Sequence, residues 1–176
     1  APGSIAGQDW FEALLDKRMK ELDPDQTIIA IGNYGYNWSE GKPAEDLTFQ
    51  EAMQAAQDSE ADIDFDEDAE NPHFTYKEDG VKHDVWFLDA VTSFNQIHAA
   101  DIYKPYGYAL WRLGSEDPSI WSVMGRPYGS KAPDALRTIS SGHDVEFQGQ
   151  GEILRVASIP ADGQRTLEID PDTGDV

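Results

Sequence analysis

The stretch Thr27-Ile28-Ile29-Ala30-Ile31-Gly32 constrains the fold more than any other part of this sequence. It is a short, continuous apolar run rich in β-branched residues, and such runs read as strands buried on both faces, as in a parallel sheet. Before it, Trp10, Phe11, Leu14, Leu15, Met19 and Leu22 recur at three- and four-residue spacing until Asp23-Pro24-Asp25, the pattern of a helix and its stop signal. A helix feeding a buried strand is the αβ half of a repeating α/β unit. Residues 106–114 repeat the strand pattern, with Ala109, Leu110 and Trp111 at its centre.

Between these runs the character changes. Thr48 and Glu51 have capping-box spacing, and Phe49, Ala52, Met53 and Ala56 supply the apolar stripe of a helix ending near Ser59. Across 62–89 short alternating segments surround a Glu78-Asp79-Gly80 turn, which predicts small antiparallel strands. A helix is expected over about 93–102, and a short one after Asp117-Pro118. Residues 126–143 are rich in Gly, Pro and Ser and read as a linker. Beyond them, 144–158 and 165–170 flank Pro160-Ala161-Asp162-Gly163, predicting a β-hairpin within an extension over 144–176. A chain of 176 residues holds one domain, here residues 1–125, plus this appendage.

Charge limits the partners. With 34 acidic residues against 13 Lys and Arg the net charge is −21, so nucleic acid is excluded, because phosphate recognition needs clustered cations. Contact with an anionic membrane surface is disfavoured for the same reason, and no apolar run reaches the roughly 20 residues needed to span a bilayer. The acidic excess is read as a solubilising surface. There is no cysteine, which removes disulfides, thiolate zinc sites and a Cys nucleophile.

The densest acidic cluster, Asp62-Ile63-Asp64-Phe65-Asp66-Glu67-Asp68, is open to several chemistries. Paired carboxylates perform acid/base work when burial separates their proton affinities. Calcium is another candidate, although an EF-hand needs Gly where Glu67 stands and a bidentate Glu where His73 stands. The plain alternative is a solvated strand face with Ile63 and Phe65 turned inward. His73, His83, His98 and His143 lack metal-ligand spacing, no nucleophile elbow is present, and Gly149-x-Gly151 is too little for a phosphate loop. No cofactor or metal is expected, and no catalytic residue is assigned.

The aromatic residues are more informative. Tyr34, Tyr36 and Trp38 follow the first strand, and Trp111 lies near the end of the second. In parallel α/β architectures ligands meet the C-terminal ends of strands, where rings can stack on the apolar C–H faces of sugars. Rings in these positions also fill cores or cover loops.

Four segments carry a family resemblance: Tyr34-Gly35-Tyr36-Asn37-Trp38; Phe65-Asp66-Glu67 with Asn71-Pro72-His73-Phe74-x-Tyr76; Val85-Trp86-Phe87-Leu88-Asp89-x-x-x-Ser93; and Gly107-Tyr108-Ala109-Leu110-Trp111-Arg112-Leu113-Gly114. In this order they resemble the C-terminal part of glycoside hydrolase family 18 domains, in the bacterial branch of spore-germination and cell-wall hydrolases. Asn37 departs from the Asp of that branch's Tyr-Gly-Tyr-Asp-Trp segment. Over about residues 5–124 the resemblance implies the C-terminal portion of a (β/α)8 TIM barrel entered after its sixth strand. Residues 27–32 would be strand seven, 107–113 strand eight, and about 48–89 a small α+β insertion. It further implies that Trp111 floors the sugar subsite at the scissile bond, that Tyr34, Tyr36 and Trp38 line or support the cleft, and that Asp66 and Asp89 are structural. The implied location is extracytoplasmic or in the cell envelope. The segment Gly149-Gln150-Gly151-Glu152-Ile153-Leu154 resembles a junction to polysaccharide deacetylases in multidomain envelope enzymes.

The family cleaves β-1,4-linked N-acetylglucosamine polymers with a Glu that closes an Asp-x-x-Asp-x-Asp-x-Glu motif on strand four. Aligned on Asp68, the acidic cluster offers Ala61, Asp64, Asp66 and Asp68, lacking the first Asp and the Glu. A proton donor withdrawn by about 1 Å costs about 10²-fold, and the cluster lies in the insertion, so it is rejected as the catalytic motif. A complete barrel takes about 250 residues. The resemblance therefore implies a carbohydrate-binding part of a hydrolase domain, inactive alone. Its expected partners are an N-acetylglucosamine-containing polysaccharide and either the rest of the parent barrel or a second copy of the chain. A non-enzymatic glycan-binding module and a structural interaction domain are the alternatives.

Overall fold

The computed structural model describes residues 1–122 together with the backbone of Val145–Gln148 and Ile153–Val156. The first helix, α1 (Gln8–Arg18), leads through a short 3-10 turn at Pro24–Gln26 into strand β1 (Ile28–Gly32). The chain then builds β2 (Gly35–Ser39), β3 (Glu45–Leu47), α2 (Phe49–Asp58), β4 (Asp64–Asp66), β5 (Asn71–Glu78) and β6 (Val81–Phe87). Helix α3 (Ala90–Asp101) returns it to β7 (Gly107–Trp111), and a 3-10 turn follows at Pro118–Ser122. The two later segments, β8 (Val145–Gln148) and β9 (Ile153–Val156), pair with each other antiparallel. The return strand expected over 165–170 and the linker over 126–143 lie outside the described residues.

Two sheets organise residues 1–122. β1 and β7 run parallel in register, Ile28 opposite Gly107 through Gly32 opposite Trp111. The other sheet is antiparallel in the order β3-β2-β6-β5-β4. It takes in β2 and β3, so it begins at Gly35, upstream of the 48–89 range expected for it. Gly35 is required there because a Cβ would stand 2.8 Å from both the Trp86 carbonyl and the Phe87 Cβ. The β5–β6 hairpin turns at Asp79 and Gly80, with φ of 50° and 80°, the paired positive angles that a two-residue hairpin favours.

The capping box forms in full: the Thr48 backbone N–H donates to Glu51 Oε2 at 2.8 Å, and the Glu51 N–H donates to Thr48 Oγ1 at 3.1 Å. The α2 stripe of Phe49, Ala52, Met53 and Ala56 then packs with Ile63, Phe74, Val85 and Phe87. A smaller core joins Phe11 and Leu15 of α1 to Ile29 and Ile31 of β1 and to Ile97 and Ala100 of α3. Helix α3 serves both cores, because Ala90, Val91 and Phe94 belong to the first. Its start precedes the expected residue 93, since Asp89 caps it by accepting the Thr92 N–H at 2.9 Å.

The expectation that both parallel strands are buried on two faces is corrected. Ile29 and Ile31 are buried, but Ile28 is 58% exposed, Ala30 and Ala109 are exposed, and Trp111 is 66% exposed. Helices α1 and α3 cover one face of this pair, and alternation along each strand turns the other residues to an uncovered face. The periodic helix before β1 divides the same way: Phe11 and Leu15 point inward, while Trp10 is 60% and Leu14 40% exposed.

Candidate functional site

The four aromatic residues singled out by sequence fall on β7, on the link from β1 to β2, and on β2. Trp111 closes β7 opposite Gly32. Asn33 fixes this strand end: its backbone N–H donates to the Trp111 carbonyl at 2.9 Å, and its Nδ2 donates to the Arg112 carbonyl at 2.7 Å. The Trp111–Arg112 peptide bond is cis. Tyr34 stands at the tip of β1, as expected from sequence, whereas Tyr36 and Trp38 belong to strand β2 of the antiparallel sheet.

These positions are nevertheless connected. Tyr34 and Trp111 line one groove of about 420 Å³, together with Trp10, Leu14, Ile28 and Leu88. From Tyr34 the rings continue along the chain: Tyr34 meets Tyr36 edge to face at 5.7 Å, and Tyr36 meets Trp38 at 5.5 Å with a tilt of 57°. Burial, with a smaller contribution from Tyr36, holds the Tyr34 phenol above its ordinary pKa. The side chains of Arg112 and Asp46, 3.0 Å apart, bridge the end of β7 to β3.

Register adds two rings that the sequence reading left aside. Tyr36 pairs with Trp86, which pairs with His73, so all three share the sheet face opposite α2. Trp86 and His73 stack at 4.5 Å with a 15° interplanar angle, and Trp86 Nε1 donates to Asp84 at 2.8 Å. The signal lay in the alternation of 71–78 and 81–87, but the pairing needed the register. On the opposite face Asn37 Nδ2 donates to the Tyr76 hydroxyl at 3.1 Å, and Asn37 Oδ1 lies 3.1 Å from His83 Nδ1. The Asn that departs from the family pattern is therefore part of the internal packing of the sheet.

The acidic cluster is arranged as a turn. Asp66 Oδ1 accepts the backbone N–H groups of Asp68 at 3.1 Å and Ala69 at 2.7 Å, while Ile63 is buried and Asp62, Asp64, Glu67 and Asp68 are exposed. Asp89 is buried at the start of α3, where its Oδ1 also accepts from the Thr92 hydroxyl at 3.1 Å.

No known protein-family profile matches the sequence. Individual proteins do. The cortical fragment-lytic enzyme of Bacillus subtilis (strain 168) is 28% identical over 120 residues, which is 63% of this chain and 27% of that protein. The cortical fragment-lytic enzyme of Bacillus anthracis is 26% identical over 129 residues, 70% of this chain and 30% of that protein. Among solved structures, the spore cortex-lytic enzyme SleL of Bacillus megaterium QM B1551 aligns with TM-score 0.59 and 28% identity, covering 67% of this chain and 29% of that one. A chitinase from Chromobacterium violaceum ATCC 12472 aligns with TM-score 0.63 and 25% identity, covering 77% of this chain and 40% of that one. The chain thus spans less than a third of the length of the curated relatives it matches.

Two sheets that share α3, with a groove of rings at the end of the parallel pair, make this a mixed α/β protein of chitinase-like structure. The chain is similar, over about two thirds of its length, to the C-terminal part of glycoside hydrolase family 18 domains of the spore-germination branch.

Proposed function

We propose that this chain is the C-terminal part of a (β/α)8 barrel of the family 18 type, and that its groove binds β-1,4-linked N-acetylglucosamine polymers. One observation carries this reading: the 66% exposed Trp111 shares a groove with Tyr34, from which the file of rings runs on to Trp38. Trp111 supplies the floor for one sugar ring and Tyr34, Tyr36 and Trp38 the wall for the next ones.

In this reading β1 and β7 are barrel strands seven and eight, and the antiparallel unit is the insertion between them. The uncovered face carrying Ile28, Ala30, Ala109 and Trp111 faces the barrel interior, and the exposed Trp10 and Leu14 meet the preceding strand and helix of the barrel. The rest of the parent barrel is therefore the first protein partner, and it supplies the proton donor. The chain alone binds glycan without turning it over.

The test is titration of the 176-residue chain with N-acetylchitotetraose, followed by tryptophan fluorescence, and an assay with a chromogenic chitobioside. Saturable binding weakened about tenfold or more by Trp111→Ala, without turnover, is expected, since an aromatic anchor at a binding centre is worth about 2 kcal/mol or more. No response in the unmodified chain overturns the glycan reading, and turnover abolished by Asp68→Ala overturns the assignment of the acid to another segment.

A further inference from the structure

A ring that serves as a stacking surface has to be held in one direction, and packing does not do this for Trp111. Its side chain is largely exposed at the last position of β7, so the direction of the indole is set mainly by the backbone that carries it. The parallel ladder fixes that backbone only as far as the pair Gly32 and Trp111. Beyond it the chain turns away through Leu113, which is exposed, and Gly114, with φ of 87°.

Asn33 takes over where the ladder stops. Its N–H donates to the Trp111 carbonyl at 2.9 Å, and its Nδ2 donates to the Arg112 carbonyl at 2.7 Å, closer than the Ser115 N–H, which reaches the same oxygen at 3.3 Å. The Arg112 side chain is a weaker anchor, because its guanidinium meets Ser115 Oγ and the exposed Asp46 carboxylate from the end of a flexible stem. Asn33 itself stands on fixed backbone: Gly32 before it belongs to β1, and the Tyr34 carbonyl after it accepts the Leu88 N–H at 3.1 Å.

Stability alone does not account for an amide at this position. Asn33 is 1% exposed, and its Oδ1 is buried with no hydrogen-bond partner among the described residues. A buried acceptor left unpaired is destabilising, and an apolar side chain of similar shape avoids that cost. What the amide supplies is the donor to the Arg112 carbonyl.

We propose that Asn33 is a positioning residue: it holds the two carbonyls that follow the Trp111 side chain and so aims the indole into the groove shared with Tyr34. It acts through Trp111 and touches no ligand. The inference rests on the glycan-binding reading above and deepens it by naming the residue that sets how well the Trp111 face binds.

Asn33→Leu tests this, because it removes the donor and the unpaired acceptor together. In the 176-residue chain, N-acetylchitotetraose binding should weaken about two- to tenfold, the worth of one hydrogen bond, with no fall in the thermal unfolding midpoint. In the Trp111→Ala background the same substitution should cause no further loss, since residues that act as one unit are not additive. A second readout needs no sugar. In a chain labelled with 5-fluorotryptophan, the fluorine signal that disappears in Trp111→Phe should shift or broaden in Asn33→Leu while the other signals stay in place. If Asn33→Leu does not fold, Asn33→Ala removes the same donor without added bulk and is read in the same ways. An unmoved Trp111 signal, or an equal loss of binding with and without Trp111, overturns the positioning role and leaves the glycan reading standing. If the unmodified chain binds no chitotetraose the glycan reading fails, and the fluorine signal still decides the placement: moved, it keeps Asn33 as the residue that aims the ring; unmoved, it overturns that as well.

Discussion

The antiparallel unit and the parallel pair end in opposite states, although the first strand of the parallel pair has the more apolar sequence. Phe74, Val85 and Phe87 of the antiparallel sheet are 1% exposed or less, sealed by α2 and α3. Ile28 of the parallel pair is 58% exposed, although it lies in an uninterrupted apolar run. The difference teaches that the first unit completes its core within this chain, while the second has one face covered and one face left for something else. An uncovered apolar face of this kind marks an interaction site or an association liability.

Substitutions sharpen the contrast when compared across the two regions. The largest effect is expected in the closed unit: Phe87→Ala, which removes a fully buried ring 5.9 Å from Phe49 and 6.4 Å from Phe74, should cost about 3–5 kcal/mol in equilibrium unfolding. Thr48→Ala takes away the hydroxyl that accepts the Glu51 N–H in the capping box and should cost about 1 kcal/mol in the same measurement. On the open side, Ile28→Ala should change stability by less than about 0.5 kcal/mol while reducing concentration-dependent association in sedimentation velocity. A loss in Ile28→Ala that matches the loss in Phe87→Ala would erase the distinction.

The smallest effect concerns alkaline pH. Burial raises the phenol pKa values of Tyr34 and Tyr76 above 10, in Tyr76 against a hydrogen bond from Asn37 that lowers it. The unfolded chain therefore releases these protons first. Their contribution to stability is whole below about pH 10 and is lost as pH rises through the folded values. Unfolding curves across that range should show stability falling with pH, and Tyr76→Phe should flatten the fall.

Local chemistry was legible in the sequence wherever a few adjacent residues decide the outcome. The Thr48 and Glu51 spacing announced the cap, Asp79-Gly80 announced the hairpin turn, and the β-branched run announced β1. The exposure of Ile28 was not legible, because an apolar pattern states what favours burial and says nothing about whether the covering element is in the same chain. Nor was the place of Tyr36 and Trp38 on a strand: their alternation with Asn37 and Ser39 was present, but it became meaningful only through pairing with β6. The Trp86–His73 stack depends on that register in the same way. Of the candidate site, the placing of Tyr34 and Trp111 at the ends of the parallel strands was readable, and the continuation through Tyr36 to Trp38 was not.

Hydrogen–deuterium exchange resolved to short peptides tests the central division most directly, because local opening reports how completely each region is covered. The amides of Ile28–Gly32 and Gly107–Trp111 should exchange well before those of Val81–Phe87, and N-acetylchitotetraose should slow the peptide containing Trp111. Equal protection of the two sheets, unchanged by the sugar, would contradict the account.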